Sequence, residues 1–135
     1  MSLILDLNDM ELNKVEEPKA APADVETHLR IVSVRTGINK NGLPYFMPRF
    51  EVVGHPEYAQ FSDYVPIPDA QQSEEERYRT TLRLKRFLNA VGVPLTARLD
   101  LENDLIGKEC WAVLGQEDNP DYGIQNYVKR YITRA

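Results

Sequence analysis

The chain has 135 residues, of which 42% are hydrophobic and 27% are charged, and its formal net charge is −5. This length and composition are typical of one globular domain and exclude a wholly disordered chain. No apolar run approaches the roughly 18 residues of a membrane span, and acidic residues interrupt the N-terminal stretch, so we expect a cytoplasmic protein without a signal peptide. Cys110 is the only cysteine, which excludes an internal disulfide and a cysteine-based zinc site.

The acidic charge is concentrated at the N-terminus. Residues 1–26 hold seven acidic side chains against two lysines, which accounts for the whole net charge of −5. Residues 27–50 and 127–135 contain basic side chains and no acidic ones. An acidic protein is ordinarily a poor partner for nucleic acid, but this distribution leaves two basic stretches for such a partner. A charge run is equally typical of a solvated surface.

Residues 1–24 are predicted to form an acidic N-terminal arm, and residues 25–135 the folded domain. Prolines and alanines in residues 18–22 give the arm a linker-like composition. Residues 3–7 are predicted either to be disordered with the arm or to dock as an edge strand or a short helix.

The folded domain begins with a predicted strand at residues 27–36, which are rich in β-branched side chains. Leu29 and Ile31 share one face of this strand, whereas Val34 is one position out of phase. A β-bulge reconciles the two halves. Glycine and asparagine in residues 37–42 then predict a turn, because both residues tolerate positive φ.

Residues 45–53 and 58–67 are predicted to be the second and third strands. Their alternation places apolar side chains on one face, namely Phe46, Phe50, Val52, Phe61 and Val65. Pro48 indicates an edge strand or a bulge, because proline lacks the N–H that a sheet requires.

A helix is predicted to start at Ser73, which precedes glutamates at residues 74–76 with the spacing of a capping box. Gly92 and Pro94 end it. Six apolar residues at three- and four-residue spacing are expected on its buried face: Tyr78, Leu82, Leu84, Phe87, Leu88 and Val91.

Two more strands are predicted after the helix, at residues 105–114 and 124–133. Residues 100–104 form a loop or one helical turn, and residues 115–123 a polar loop. Three strands, one helix and two strands is the element order of the OB-fold, a five-stranded Greek-key barrel with its helix between strands three and four. We therefore predict a mainly β OB-fold barrel; the alternative is another α+β topology with the helix packed across a sheet.

OB barrels bind oligonucleotides across their second and third strands, using basic grooves and exposed aromatic rings on which bases stack. Nine residues are candidates for a nucleic-acid interface: Arg35, Lys40, Tyr45, Arg49, Tyr58, Tyr64, Tyr127, Lys129 and Tyr131. Alternation in the last strand predicts that Tyr127, Lys129 and Tyr131 share one face. Tyrosine is also favoured in strands for its β-propensity, so structural roles remain open for the tyrosines. Trp111 is expected either in the core or stacked on a base.

No motif indicates an enzyme. His28 and His55 are the only histidines and lack metal-ligand spacing. The acidic residues at 100–104 lack the glycine and glutamate of a calcium loop, and phosphate-loop, dinucleotide and nucleophile-elbow motifs are absent. We expect no catalysis, no metal and no cofactor, and we interpret Cys110 as a small buried hydrophobe.

The sequence resembles phage-encoded single-stranded DNA-binding proteins, including small phage proteins classed only as a domain of unknown function. The resemblance lies in LRIVSVRTGINKNGLPYFMPRFEVV, LRLKRFLNAVGV, DLIGKECWAVLG and NYVKRYI, and covers most of residues 27–132. It implies an OB-fold that coats replication or recombination intermediates, with Lys40, Tyr45, Arg49 and Tyr64 in the DNA groove. Many such proteins end in an acidic tail, whereas here the acidic segment is N-terminal.

The sequence therefore predicts a non-catalytic, sequence-tolerant single-stranded DNA-binding protein. Residues 6–26 are expected to compete with DNA for the basic face or to dock a replication or recombination protein. The alternative for the arm is self-association into a homo-oligomer. The alternative for the whole chain is an OB-like protein-interaction module or phage structural subunit, in which the tyrosine and methionine of the second strand form a protein interface.

Overall fold

The computed structural model describes residues 2–133. Met1, Arg134 and Ala135 lie outside the described residues, and the last two belong to the predicted basic C-terminal stretch. Within them, two 3₁₀ turns precede a mainly β body. The elements of that body are β1 (Glu26–Ile38), β2 (Pro44–Val52), β3 (Phe61–Ser62), β4 (Val65–Pro66), α1 (Glu74–Ala90), α2 (Leu101–Asp104), β5 (Glu109–Asn119) and β6 (Gly123–Ile132).

The six strands of the described residues form one antiparallel sheet in the order β3-β2-β1-β5-β6, with β4 pairing with the other end of β2. The two outer strands of this order approach each other. The hydroxyl of Tyr131 in β6 donates a 2.6 Å hydrogen bond to Asp63, which directly follows β3. The ring of Tyr131 also lies 6.3 Å from that of Phe50 in β2. The sheet is therefore strongly curved, which is compatible with a β-barrel-like fold.

The apolar side chains meet inside this curved sheet. The largest side chains that are fully buried in this core are Phe46, Phe50, Phe87, Leu29, Ile31, Leu105 and Leu114. The predicted bulge in β1 is confirmed, because the register with β2 shifts between Ile31 and Ser33. This shift lets Val34 pack against the same core as Leu29 and Ile31.

The predicted third strand, at residues 58–67, is broken into the two-residue strands β3 and β4. The break lies opposite Pro48, whose carbonyl accepts a hydrogen bond from the Asp63 N–H at 3.1 Å. In an antiparallel strand the N–H and C=O of one residue point to the same side. On the side of Pro48 that faces the third strand, the carbonyl accepts a hydrogen bond but there is no N–H to donate one in return. Pro48 lies in a central strand, not at an edge, and its missing N–H explains the break.

Helix α1 starts as predicted, with the Ser73 hydroxyl accepting a 3.2 Å hydrogen bond from the backbone N–H of Glu76. Phe87 anchors the helix, since its ring is fully buried and lies 5.4 Å from that of Phe46. The prediction that Tyr78 belongs to the buried face is wrong, because this side chain is 67% exposed. Tyr78 precedes Phe87 by nine residues, which at 3.6 residues per turn is a rotation of about 180°.

The last two strands form a longer hairpin than predicted. Strand β5 begins four residues later than expected, because residues 105–108 make a turn in which Gly107 (φ 87°) donates to Ile31. Most of the predicted polar loop, residues 115–123, is instead paired strand, from Gly115↔Tyr127 to Asn119↔Gly123. The polar composition is misleading because this end of the hairpin is solvent-exposed. The short helix α2 agrees with the predicted helical turn at residues 100–104.

The N-terminal segment has two parts. Residues 2–19 are exposed, and the two 3₁₀ helices, Leu7–Met10 and Leu12–Lys14, bury no side chain. Residues 19–24, which we call the strap, lie against the body. Ala21 is fully buried, and its N–H and C=O both hydrogen-bond to the side chain of Asn126 at 2.8 and 2.9 Å. No helix in residues 2–133 is long and apolar enough to cross a membrane.

Candidate nucleic-acid interface

The tip of the β1–β2 hairpin carries a pair of tyrosine rings. The ring centroids of Tyr45 and Tyr64 are 4.8 Å apart, and the Asn39 amide donates to the Tyr64 hydroxyl at 3.2 Å. Tyr45 faces Gly37 on β1, where a Cβ would lie 2.6 Å from the tyrosine hydroxyl oxygen. Glycine at this position therefore lets the Tyr45 ring lie across β1. Lys40 is exposed in the adjoining turn.

Two arginines flank Met47 on the same outer face. The Arg35 guanidinium donates to the Met47 sulfur at 3.4 Å, and Arg49 Nε donates to the Gln60 side chain at 2.9 Å. Arg35, Met47 and Arg49 line one hollow of about 260 Å³. None of the ion pairs within residues 2–133 involves Arg35, Lys40 or Arg49. Their positive charges are thus available to an anionic ligand.

A groove of about 430 Å³ continues from this hollow to the β5–β6 hairpin. We call it the seam groove, since it follows the line along which β3 approaches β6. Its lining includes Met47, Arg49, Ser62, Glu117, Tyr122 and Tyr127. Met47 and Arg49 line both spaces, so the hollow and the groove form one continuous surface. Tyr122 is 77% exposed at the turn of the hairpin.

Tyr58 does not join this surface. Its ring packs against the core and stacks on His55 with centroids 5.4 Å apart. It lines a different hollow with Arg30 and Glu51, whose side chains form a 3.2 Å ion pair. Tyr58 therefore lies beside a neutralised ion pair and is not among the residues that line the seam groove.

The prediction that Tyr127, Lys129 and Tyr131 share one face of the last strand is wrong. Val128 and Arg130 pair with consecutive residues of β5, so Lys129 is an extra residue in β6. This bulge reverses the alternation. Tyr127 is 38% exposed on the outer face, whereas the ring of Tyr131 packs against the core.

Lys129 and Tyr131 both make side-chain contacts within the protein. Lys129 pairs with Asp24 of the strap, and this hydrogen bond and charge raise the pKa of the lysine. Tyr131 lies 5.4 Å from Phe87 and donates its hydroxyl to Asp63. Burial, followed by the negative charge of Asp63, raises the pKa of Tyr131 well above its ordinary value. Tyr131 therefore offers no free ring face to a base.

The structure also positions residues that the sequence pattern does not single out. Tyr122 lies in a segment with the composition of a polar loop, and Gln60 acts through the hydrogen bond that it accepts from Arg49. Trp111 is on the outer face of β5, 38% exposed, with its ring nearly parallel to His28 at 4.7 Å. Cys110 is buried as predicted, and burial followed by the charge of Asp63 raises the pKa of its thiol to about 12.

Among the described residues, no group of three or more His, Cys, Asp and Glu side chains could hold a metal ion. Compared with known proteins, the chain matches no family model and no curated protein sequence.

Proposed function

We propose that this protein is a non-catalytic, sequence-tolerant single-stranded DNA-binding protein whose body is an OB-type Greek-key barrel. The observation that carries the proposal is the continuous outer surface on which Arg35, Arg49 and Tyr127 lie around Met47. Single-stranded nucleic acid needs cations that follow the phosphates and rings that stack on bases, and this surface offers both.

The strand order supports the OB-type assignment. When β3 and β4 are counted as two halves of one broken strand, the sheet has five strands, and α1 lies between the third and the fourth. This is the element order of the OB-fold. The seam groove then corresponds to the region where OB barrels bind oligonucleotides, between the second and third strands and the last hairpin.

The chemistry of the surface supports sequence tolerance. Tyr45, Tyr64, Tyr122 and Tyr127 supply aromatic faces, and every base has a π-face on which such rings can stack. Arg35, Lys40 and Arg49 supply charge for phosphates, which carry no sequence information. Tyr58 and Tyr131 supply no stacking ring to the seam groove, and Lys129 lines a neighbouring cleft between β6 and α1.

The resemblance in sequence supports a role in phage DNA replication or recombination, in the cytoplasm of the host cell. The free part of the arm, residues 2–17, carries five acidic side chains and one lysine. The arm leaves the body next to the seam groove, which Pro18 and Ala20 help to line. This position supports competition between the arm and DNA, because the arm reaches the basic surface without crossing the body.

The second candidate is a protein-interaction module. The observation that favours it is the exposed apolar character of the arm, in which Leu3 and Ile4 are 89% and 87% exposed. Such a module would bind a protein through the arm or through Met47 and Tyr45, and it would leave single-stranded DNA unbound.

A gel-shift titration against single- and double-stranded oligonucleotides tests the proposal. We expect the protein to bind the single strand more tightly than the duplex. Arg49→Ala should weaken binding, whereas Lys85→Ala should not, because Lys85 is exposed on α1 about 200° around the helix from the buried Phe87. Absence of binding to either oligonucleotide would support the protein-interaction module instead.

A further inference from the structure

A second basic cleft lies between β6 and α1. Its volume is about 560 Å³, larger than the seam groove, and its lining includes Arg83, Arg86, Lys129 and Arg130. The one carboxylate in the lining, Asp63, is already held by the Tyr131 hydroxyl and by Arg83 Nη2 at 3.0 Å. The cleft therefore carries an excess of positive charge.

Two of the four cations have no carboxylate partner. Arg83 pairs with Asp63, and Lys129 pairs with Asp24. Arg86 and Arg130 are exposed and take part in none of the ion pairs formed by residues 2–133. A guanidinium without a carboxylate partner is suited to a phosphate, which it can bind through two parallel hydrogen bonds.

The cleft and the seam groove are neighbours along the chain. Ser62 and Tyr127 line the groove, and the next residues, Asp63 and Val128, line the cleft. Successive residues in a strand are about 3.3 Å apart. Both segments run from the groove to the cleft in the same chain direction, from Ser62 to Asp63 and from Tyr127 to Val128, so the cleft follows the groove along the line between β3 and β6.

We infer that the cleft between α1 and β6 is a phosphate-binding site that extends the path of single-stranded DNA beyond the seam groove. The inference rests on the proposed function. Arg86 and Arg130 bind the phosphates. The site takes the backbone and not the bases, because its one aromatic ring, Tyr131, is packed against Phe50 and Phe87.

The test uses the full chain with Arg86→Gln and Arg130→Gln combined, and labelled oligothymidylates of about 4 and about 20 nucleotides, which bracket the range of OB site sizes. The short oligonucleotide is expected to occupy the seam groove alone, so the double variant should bind it as the unaltered protein does. For the long one, loss of two phosphate contacts should reduce the log-log salt slope by about 1.4 and weaken binding about 25-fold at 0.1 M salt. Lys85→Gln, which removes an exposed cation of α1 outside the lining of the cleft, is the control and should change neither value.

The outcomes separate this inference from the proposed function. If the unaltered protein binds both oligonucleotides and the double variant binds the long one with an unchanged slope, the cleft is not on the DNA path and the inference is overturned. If the unaltered protein binds neither, the proposed function fails, and the inference with it. If the double variant alters DNA binding only while residues 2–17 are present, the cleft holds the acidic arm, and the inference is again overturned.

Discussion

The ring of Tyr127 in β6 lies directly over the backbone of Gly115 in β5. The two residues are partners in the strand register, and a Cβ on the glycine would lie 2.6 Å from the tyrosine hydroxyl oxygen. Tyr45 and Gly37 have the same relationship in β2 and β1. In both pairs the absence of a glycine side chain determines where an aromatic ring of the proposed interface lies.

Gly115→Ala should therefore weaken DNA binding although Gly115 itself contributes no side chain to the proposed interface. The new methyl group must displace the far end of the Tyr127 ring, and losing one stacked base costs about 1–3 kcal/mol, or about 5- to 150-fold in affinity. Fluorescence anisotropy with a labelled oligothymidylate measures the change. The double variant Gly115→Ala, Tyr127→Ala should bind no more weakly than Tyr127→Ala alone; additive losses would show that the glycine acts independently of the ring.

Tyr131→Phe should lower stability and leave the binding of a short oligothymidylate, which occupies the seam groove alone, unchanged. The Tyr131 hydroxyl donates to the buried carboxylate of Asp63, and a hydrogen bond to a charged group contributes about 1.5–3 kcal/mol. Urea denaturation measures the free energy of unfolding. Tyr127→Phe, which alters an exposed ring, serves as the control and should leave that free energy unchanged. A loss of affinity for the short oligothymidylate in folded Tyr131→Phe would return this residue to the seam-groove interface.

Removal of residues 2–17 and removal of residues 2–24 should have different effects. The shorter deletion removes no buried side chain, so the melting temperature should stay the same, and DNA binding should become tighter as the acidic charge is lost. The longer deletion also removes Ala21 and its hydrogen bonds to Asn126, so the melting temperature should fall. Unchanged or weaker DNA binding after the shorter deletion would count against competition between arm and DNA.

The stability of the protein should fall above pH 9. Burial raises the pKa of Cys110 from 9.0 to about 12, so the unfolded thiol ionises before the folded one. The free energy of unfolding is then unaffected by this thiol below pH 9 and decreases between pH 9 and about 12, by at most about 1.4 kcal/mol per pH unit. Tyr131, whose pKa is also raised, adds to the loss at higher pH.

Urea denaturation at a series of pH values measures this decrease, and Cys110→Ala should make it smaller. An equal decrease in the variant would show that the thiol is not its source. In the folded protein at neutral pH, Cys110 should react with Ellman's reagent only after unfolding, since the thiol is buried and protonated.

The features that the sequence predicts correctly depend on short stretches of chain. The bulge of β1 follows from the phase of Leu29, Ile31 and Val34, and the start of α1 from the spacing between Ser73 and the glutamates. The buried face of β2, which includes Phe46 and Phe50, follows from the strict alternation of apolar residues along this strand. Each depends on periodicity or on a hydrogen bond between residues three apart.

The features that the sequence does not predict depend on partners far away in the chain. The break opposite Pro48 requires knowing which side of β2 the third strand occupies. The inward position of Tyr131 requires the bulge at Lys129, which only the pairing with β5 specifies. The cleft between α1 and β6 is likewise lined by residues that are far apart in the chain, such as Asp63 and Tyr131, and no local sequence pattern indicates that they lie together.

Binding of a labelled oligothymidylate at increasing salt tests the proposed function most directly. We predict tight binding at about 50 mM salt and a log-log slope of about −0.7 for each phosphate neutralised, because the bound cations displace counterions from single-stranded DNA. Absence of binding at low salt, or binding with a slope near zero, would contradict the proposal that the basic outer surface holds single-stranded DNA.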